Sequence, residues 1–577
     1  MQRASDLSAG GARRRRGKPG LDQDATATVR ALRGSSWGKL RPRQVLWVML
    51  VALVAVVALG LWRRRRSRAP LVDFRARALV SAAEIADLNI KVDALMRDHF
   101  DKHEALERLA QLLRFQTVSD VSKPRHLVDE RAMRQLVEYL QNGSAYPLAA
   151  KALQWERVAD GLSVLATLPG RQPELAPVLL ISHLDVVPAA ERGSSGWHHP
   201  PFAGVFDATD GYLYGRGALD TKSSATAPLE ALEVLLRAHG SDYRPRRGII
   251  LAYGHDEEVG GAQGAGAIAA LLRERQVSPY FSLDEGGAVA EGVITGVKGR
   301  VALIGMAEKG YSDVNITVTS EGGHASAPSC EGTVIESIAR AIGVLHRARL
   351  PERLMRPMTD TFDYLAPFMP PVQRFLVSGW RSHGWLLRQI VRHDDELRAQ
   401  LGSTYASTLL HAGVKENVIP SRATLIMNWR TTWLMPNPVE FVRHTLEAAG
   451  VLDAPGREWH INAHEETHML PSSTSPLDHV FRDVQRSISV AYGADTISAP
   501  YLTFAATDSR HYVRHRVGQR HYRFSPFLLR GREDFALVHA ANERIHIDVY
   551  AKMVRFYVSL LLDACDSEQE SGTRRAA

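Results

Sequence analysis

Pro177-Val-Leu-Leu-Ile-Ser-His-Leu-Asp185 is the stretch that decides the fold. A short apolar run that closes on a histidine and an aspartate is the pattern of a buried strand with polar side chains at its C-terminal end. Arg247-Gly-Ile-Ile-Leu-Ala-Tyr253 repeats the pattern, and Glu257-Glu258 follows it. Ala225 to Arg237 and Ala265 to Leu272 have helical spacing. Strands alternating with helices from about residue 150 to 295 predict an α/β domain with a mixed, largely parallel sheet. Sites in such sheets form beyond the strand ends.

Farther along the chain, the character changes at 299–433. Tyr311 to Thr319 alternates at period two, a helix is predicted over Val334–Ala348, and strand-like stretches follow at Ser403–Leu410 and Ala423–Thr432. This predicts an inserted α+β lid at 299–433 within a catalytic domain formed by 98–298 and 434–565. Residues 351–400 of the insert are rich in aromatics, including Phe362, Phe368, Phe375, Trp380 and Trp385. They either build the insert's own core or offer an apolar surface to a long apolar chain.

The chain has 577 residues, 45% hydrophobic and 23% charged, which is ordinary globular composition. Its net charge of +8 is concentrated at one end: residues 1–80 carry 18 Lys/Arg against 4 Asp/Glu, leaving the rest at −6. The folded part is thus mildly acidic, and no nucleic-acid partner is expected. Two cysteines, Cys330 and Cys565, exclude a disulfide scaffold and a cysteine-rich zinc module. Val45 to Trp62 is uncharged, has a tryptophan at its C-terminal end and another near its start, and is long enough to cross a bilayer. The expected order is a disordered basic tail at 1–44, a single-pass membrane anchor at 45–62 in contact with lipid, a helical stalk at 63–97, then the enzyme, with a disordered tail at 566–577.

Five segments carry chemistry: His183-Leu-Asp185, Asp220 after Gly215-Arg-Gly217, Glu257-Glu258, Asp284 in Leu283-Asp-Glu-Gly286, and His539. Two histidines and three carboxylates suit two zinc ions sharing one carboxylate, because zinc takes nitrogen and carboxylate oxygen. Residues i and i+2 of a strand point the same way, so Asp185 can hold the other ring nitrogen of His183. One glutamate, Glu257, is left over to act as a base.

The chain resembles the dizinc aminoacylase and carboxypeptidase S family, which also holds acetylornithine deacetylase and succinyl-diaminopimelate desuccinylase. The matching stretches include Ser182-His-Leu-Asp-Val-Val-Pro188, Tyr214-Gly-Arg-Gly-Ala-Leu-Asp-Thr-Lys222, Gly254-His-Asp-Glu-Glu258, Leu283-Asp-Glu-Gly-Gly287, Gly322-Gly-His-Ala-Ser-Ala-Pro328, Lys415-Glu-Asn-Val-Ile-Pro420, Thr507-Asp-Ser-Arg-His-Tyr512 and His539-Ala-Ala-Asn-Glu-Arg544. The insert and the Thr507 segment are most similar to the carboxypeptidase S and N-fatty-acyl-amino-acid hydrolase/synthase branch. The resemblance implies a zinc-exopeptidase-like fold and cleavage of a peptide or N-acyl-amino-acid amide bond. It implies that His183, Asp220 and Asp284 hold one zinc, and Asp220, Glu258 and His539 the other. Glu257 would be general base and then acid, Asp185 would orient His183, His324 would stabilise the oxyanion, and Asn417 and Arg430 would bind the substrate carboxylate. It further implies an extracytoplasmic catalytic domain and admits a homodimer through the lid. Thr221, Ala505, Ala506 and Ala540 depart from the family pattern; none removes a ligand.

Two other readings compete. A non-catalytic receptor or scaffold on the same fold would have lost ligands or Glu257. His464-Glu-Glu-Thr-His468 fits the H-E-x-x-H pattern of single-zinc proteases, but that chemistry needs a helix, and here the preceding Trp459-His-Ile-Asn462 reads as a strand.

Overall fold

The computed structural model describes residues 73–189, 196–463 and 468–566. A ten-stranded mixed sheet forms the larger body. Its first strands are β1 (Gln154–Val158), β2 (Ser163–Leu168), β3 (Val178–His183), β4 (Ile249–Gly254), β5 (Phe281–Asp284), β6 (Val289–Glu291) and β7 (Arg300–Glu308). The smaller, four-stranded sheet contributes β8 (Gly310–Thr319), β9 (Thr404–Ala412), β10 (Arg422–Thr431) and β11 (Glu458–Ala463). The chain then returns to the large sheet as β12 (Ile497–Thr503), β13 (His521–Arg523) and β14 (Leu528–Arg530). The order is β1-β2-β4-β3-β5-β13-β7-β6-β14, with β12 paired to β7. β4, β3, β5 and β13 run parallel to their neighbours in the centre, and antiparallel pairs flank them.

β3 shows why this sheet forms. Val178 and Leu180 enter the main core beneath the helices Lys222–His239 and Ile547–Leu560, while Leu179 and Ile181 pack under Ala265–Glu274 on the other face. Apolar residues at every position satisfy both faces, as expected for strands covered on two sides. The smaller sheet buries one face, where Val314, Ile316, Leu425, Met427 and Trp429 meet the helices Val334–Arg347 and Pro438–Ala448.

The structure moves three expected boundaries. β7 belongs to the large sheet and β11 to the small one, so the crossover lies at Lys309 and not at 299, and the return comes after residue 463 and not at 433. The physical reason is pairing: β11 runs antiparallel to β8 along six residues. Lys309 closes the crossover, its Nζ donating to the carbonyls of Ala399 and Gly402 at 3.0 and 2.9 Å and to Thr404 Oγ1 at 3.0 Å. The described part of the expected stalk is no free stalk either. The helix Ala82–His99 buries Ile85 and Val92 in the main core, Arg482 grips Glu84 at 2.8 Å, and Arg555 grips Asp93.

In the insert, Phe362 and Trp380 join Met358, Leu387 and Val391 in a local core, Phe375 stacks on His383, and Phe368 packs on the main core. Only Trp385 of the five aromatics stands out, 60% exposed. The insert is anchored to the larger body where Thr361 Oγ1 donates to the Pro500 carbonyl at 2.6 Å.

The single-pass membrane placement is overturned: no helix among the described residues is long and apolar enough to cross a membrane. The run Val45 to Trp62 that suggested it, with its lipid contact, lies outside the described residues.

Candidate active site

The C-terminal ends of β3, β4 and β5 bring the acidic segments together. His183 ends β3 and is buried. Its Nε2 lies 3.1 Å from Asp220 Oδ1 and 3.3 Å from Glu285 Oε1. On its other side, Nδ1 lies 3.3 Å from Asp185 Oδ1. The two carboxylate oxygens of Asp185 also accept the backbone N–H groups of Glu257 and Glu258, each at 3.1 Å. One buried carboxylate therefore sets both the imidazole and the turn that carries the glutamate pair.

Asp220 spans the two histidines. Its Oδ2 lies 2.9 Å from His539 Nε2, which also lies 3.2 Å from Glu258 Oε2. His539 adopts φ 63°, a left-handed conformation uncommon for a non-glycine residue. Arg216 braces this turn, donating through Nη2 to the His539 carbonyl at 3.0 Å and through Nη1 to Glu543 at 2.6 Å. Glu543 in turn accepts the N–H groups of Leu219 and Asp220 at 2.8 and 3.0 Å. The Arg216–Glu543 pair thus fixes the Asp220 loop and the His539 loop against each other.

The fifth expected ligand does not join the cluster. Asp284 turns away from the cluster: Oδ2 accepts the Ser509 N–H and hydroxyl at 2.6 and 2.8 Å, and Oδ1 accepts the Glu285 N–H. Glu285, one residue on, faces His183 instead. Neighbouring side chains at a strand end diverge, and here Ser509 captures the first of the two. Asp508, beside it, is buried with both carboxylate oxygens lacking a hydrogen-bond partner.

Burial dominates the electrostatics. Desolvation raises Glu257 and Glu285 to about 8 and Glu258 to about 7. Burial would raise Asp220 as well, but hydrogen bonds from His183 and His539 outweigh it and hold the carboxyl well below the usual range. Hydrogen bonds to Asp220 and Glu258 push His539 up to about 10. So many acids in one dry place hold protons where a cation would serve. Glu258 Oε1 is buried without a partner, an orphan that a bound cation would satisfy. The donor atoms of His183, Asp220 and Glu258, and those of His183, Glu257 and Glu285, lie within 4.8 Å of one another. Imidazole nitrogen and carboxylate oxygen are the donor types zinc takes, so these residues fit a divalent metal.

The remaining expected site residues fall elsewhere. Glu257 stands 3.7 Å from Arg510. That arginine lies within the Thr507–Tyr512 stretch, where nothing in its local sequence points to Glu257. Arg430 of β10 is half-buried over the Tyr311 ring; burial lowers it, and the charges of Arg510 and Glu257 both reach it. His324 and Asn417 share an exposed two-stranded arm, Gly323–His324 paired with Val418–Ile419. His324 Nδ1 meets Ser326 Oγ at 2.8 Å, and the Asn417 carbonyl accepts the Ala325 N–H; neither touches the cluster. Of the H-E-x-x-H segment, residues 464–467 lie outside the described residues, and the six residues before it form β11.

Residues 179–563 match the profile of Peptidase family M20/M25/M40. An N-fatty-acyl-amino acid synthase/hydrolase of Mus musculus is 34% identical over 75% of this chain and 83% of its own length. A probable carboxypeptidase S-like protein of Dictyostelium discoideum is 31% identical over 82% of this chain and 88% of its own. Among solved structures, the M20 family metallo-carboxypeptidase of Sulfolobus solfataricus superposes with a TM-score of 0.56 at 18% identity, covering 80% of this chain and 99% of that one. The di-peptidase Dug1p of Saccharomyces cerevisiae gives 0.55 at 14% identity, covering 85% and 100%. At these identities the two structures speak for the fold.

Proposed function

Because the chain belongs to peptidase family M20/M25/M40, a family of hydrolases, we propose that it cleaves the amide bond of a peptide or N-acyl amino acid with two zinc ions and a water nucleophile. His183, Asp220 and Glu285 would hold one ion; Asp220, Glu258 and His539 the other. Zinc bound there would supply Lewis acidity, polarising a carbonyl and lowering the pKa of water.

The protein's own residues do the rest. Glu257 takes the proton of the attacking water and gives it to the leaving amine nitrogen. Arg510 holds the Glu257 carboxylate in place, and Asp185 orients His183 and the glutamate turn. Arg430 and Asn417 bind the carboxylate of the leaving amino acid, and His324, on the exposed arm beside Asn417, donates to the oxyanion. The observation that carries this reading is the division of labour among the carboxylates. Asp220, Glu258 and Glu285 lie 3.1, 3.2 and 3.3 Å from an imidazole nitrogen, while Glu257, though within 4.8 Å of His183 and Glu285, has its charged partner in Arg510 at 3.7 Å. The mouse relative's named activity supports the acyl-amino-acid side of the proposal.

The test uses the full chain: metal content by elemental analysis, and hydrolysis of dipeptides and N-acyl amino acids before and after chelation. Two zinc per chain and chelator-sensitive amide cleavage are expected. A metal-replete protein that cleaves no amide would return the scaffold reading to first place.

A further inference from the structure

A cavity of about 300 Å³ opens from the carboxylate cluster into the larger body. Asp220, Glu257, Glu258, Glu285 and His539 contribute to its lining, and beyond them the lining turns apolar. Strand register explains how. Val289 of β6 and its partner Ala302 of β7 point into the main core. Ala288 and Ala290, on either side of Val289, therefore point the other way, with Leu303 of β7 and Leu529 of β14 beside them. All four line the cavity. Leu303 comes close because Gly287 has no side chain; a Cβ there would collide with the Leu303 carbonyl. Phe504, Phe527, Phe535 and Val538 close the walls.

This sheet face does not meet open water: Ala290 and Leu529 are 6% and 2% exposed and Leu303 packs against the main core, so the recess beside the polar cluster is walled by apolar side chains. An apolar cleft with a few convergent polar groups at one end suits a ligand with an apolar body and a reactive head. Ala505 and Ala506, two of the positions where the sequence departs from its family's pattern, line the same cavity. In the aromatic insert, the other candidate for such a ligand, Phe362 and Trp380 build a local core, Phe368 packs on the main core, and Trp385 is left exposed.

We propose that this cavity receives the acyl chain of an N-acyl amino acid, and that Ala288 and Ala290 leave the space that decides how long a chain is accepted. The proposal rests on the amide-hydrolase reading above and deepens it, naming the substrate's acyl part and the wall it meets.

The experiment is a series of N-acyl derivatives of one amino acid, acetyl through decanoyl, kept below micelle-forming concentrations and assayed with the zinc-loaded full chain. kcat/KM should rise roughly four-fold per added methylene until the cavity is full. Ala290→Phe puts a ring into the space; the decanoyl-to-acetyl ratio should fall on the order of 50-fold, the worth of about three methylenes. Phe535→Ala, at a residue 56% exposed and so safe for folding, should lower the same ratio by roughly ten-fold. Trp385→Ala, the exposed aromatic of the insert, should leave it unmoved. A flat series, a ratio indifferent to both cavity variants, or a ratio that collapses with Trp385→Ala would each overturn the acyl cavity, while the function stands as long as acetyl amino acids or dipeptides are hydrolysed. No turnover of any amide would overturn both.

Discussion

The two sheets treat their polar residues in opposite ways. In the large sheet β3 and β4 are buried at every position, so polar side chains are confined to the strand ends. There His183, Glu257, Glu258 and Glu285 meet in a space dry enough to lift carboxyls toward neutrality. In the small sheet burial alternates along β10, residue by residue, and the polar face looks outward. Its own functional candidate, Arg430, is half-buried over the Tyr311 ring, while His324 and Asn417 sit on a separate two-stranded arm exposed to solvent. Desolvation is what lifts a set of ordinary acids toward the range where a proton can be taken up and given back near neutral pH. The double-sided cover of the large sheet supplies it to a whole cluster of acids, whereas the small sheet half-buries a single candidate, Arg430. On the proposed function the reacting groups belong to the larger body, and the smaller one contributes by reaching toward them.

The largest effect should come from the dry cluster. Glu257→Gln keeps the size of the side chain and removes the base; turnover should fall by about 10³–10⁴ with both metals retained. Near-normal turnover would take the proton-transfer role away from Glu257. The next comparison pits two adjacent carboxylates against each other. Glu285→Ala should release metal, as should Asp220→Ala. Asp284→Asn should keep it and instead lose about 1–3 kcal/mol of stability, because its buried partners on Ser509 lose a charged acceptor. Metal analysis and urea unfolding of the two variants read this directly. A reversed outcome would restore Asp284 as the ligand.

That pair also marks where sequence reasoning stops. The strands, the helices of the α/β half and the residue types of the site were legible, because apolar runs closing on acidic or histidine residues have one economical arrangement. Which of Asp284 and Glu285 faces the cluster was not, because Ser509 decides it from 225 residues away. Arg510 against Glu257, and Arg216 with Glu543 behind His539, are likewise partners joined only by the fold. The helix Ala82–His99 reads as a stalk from its own spacing, and its grip on the body depends on Arg482 and Arg555, far along the chain. The aromatic insert posed a different difficulty. Composition alone does not separate a core from a groove; only the packing of Phe362 and Trp380 does.

A smaller effect is expected from the exposed arm. If His324 donates to the oxyanion, His324→Ala should lower kcat by about 10²–10³ with metal content and KM little changed. A change confined to KM would make it a substrate-binding residue, and no change at all would leave the arm outside the chemistry. Either of those results would sharpen the contrast between the sheets by leaving every reacting contact with the larger one.

The smallest effect should appear within the insert, where buried and exposed aromatics can be compared directly. Phe362 lies in the local core with Met358, Leu387 and Val391, so Phe362→Ala removes a ring that the surrounding side chains cannot refill. About 3 kcal/mol of stability should be lost. Trp385 stands on the same insert with most of its surface in water, and a large side chain there has little burial to lose. Trp385→Ala should therefore change stability by no more than about 0.5 kcal/mol. Urea unfolding of both variants checks the pair. An equal and large loss at Trp385 would mean that its ring is covered in solution, and the insert would then have a second apolar contact that its own core does not account for.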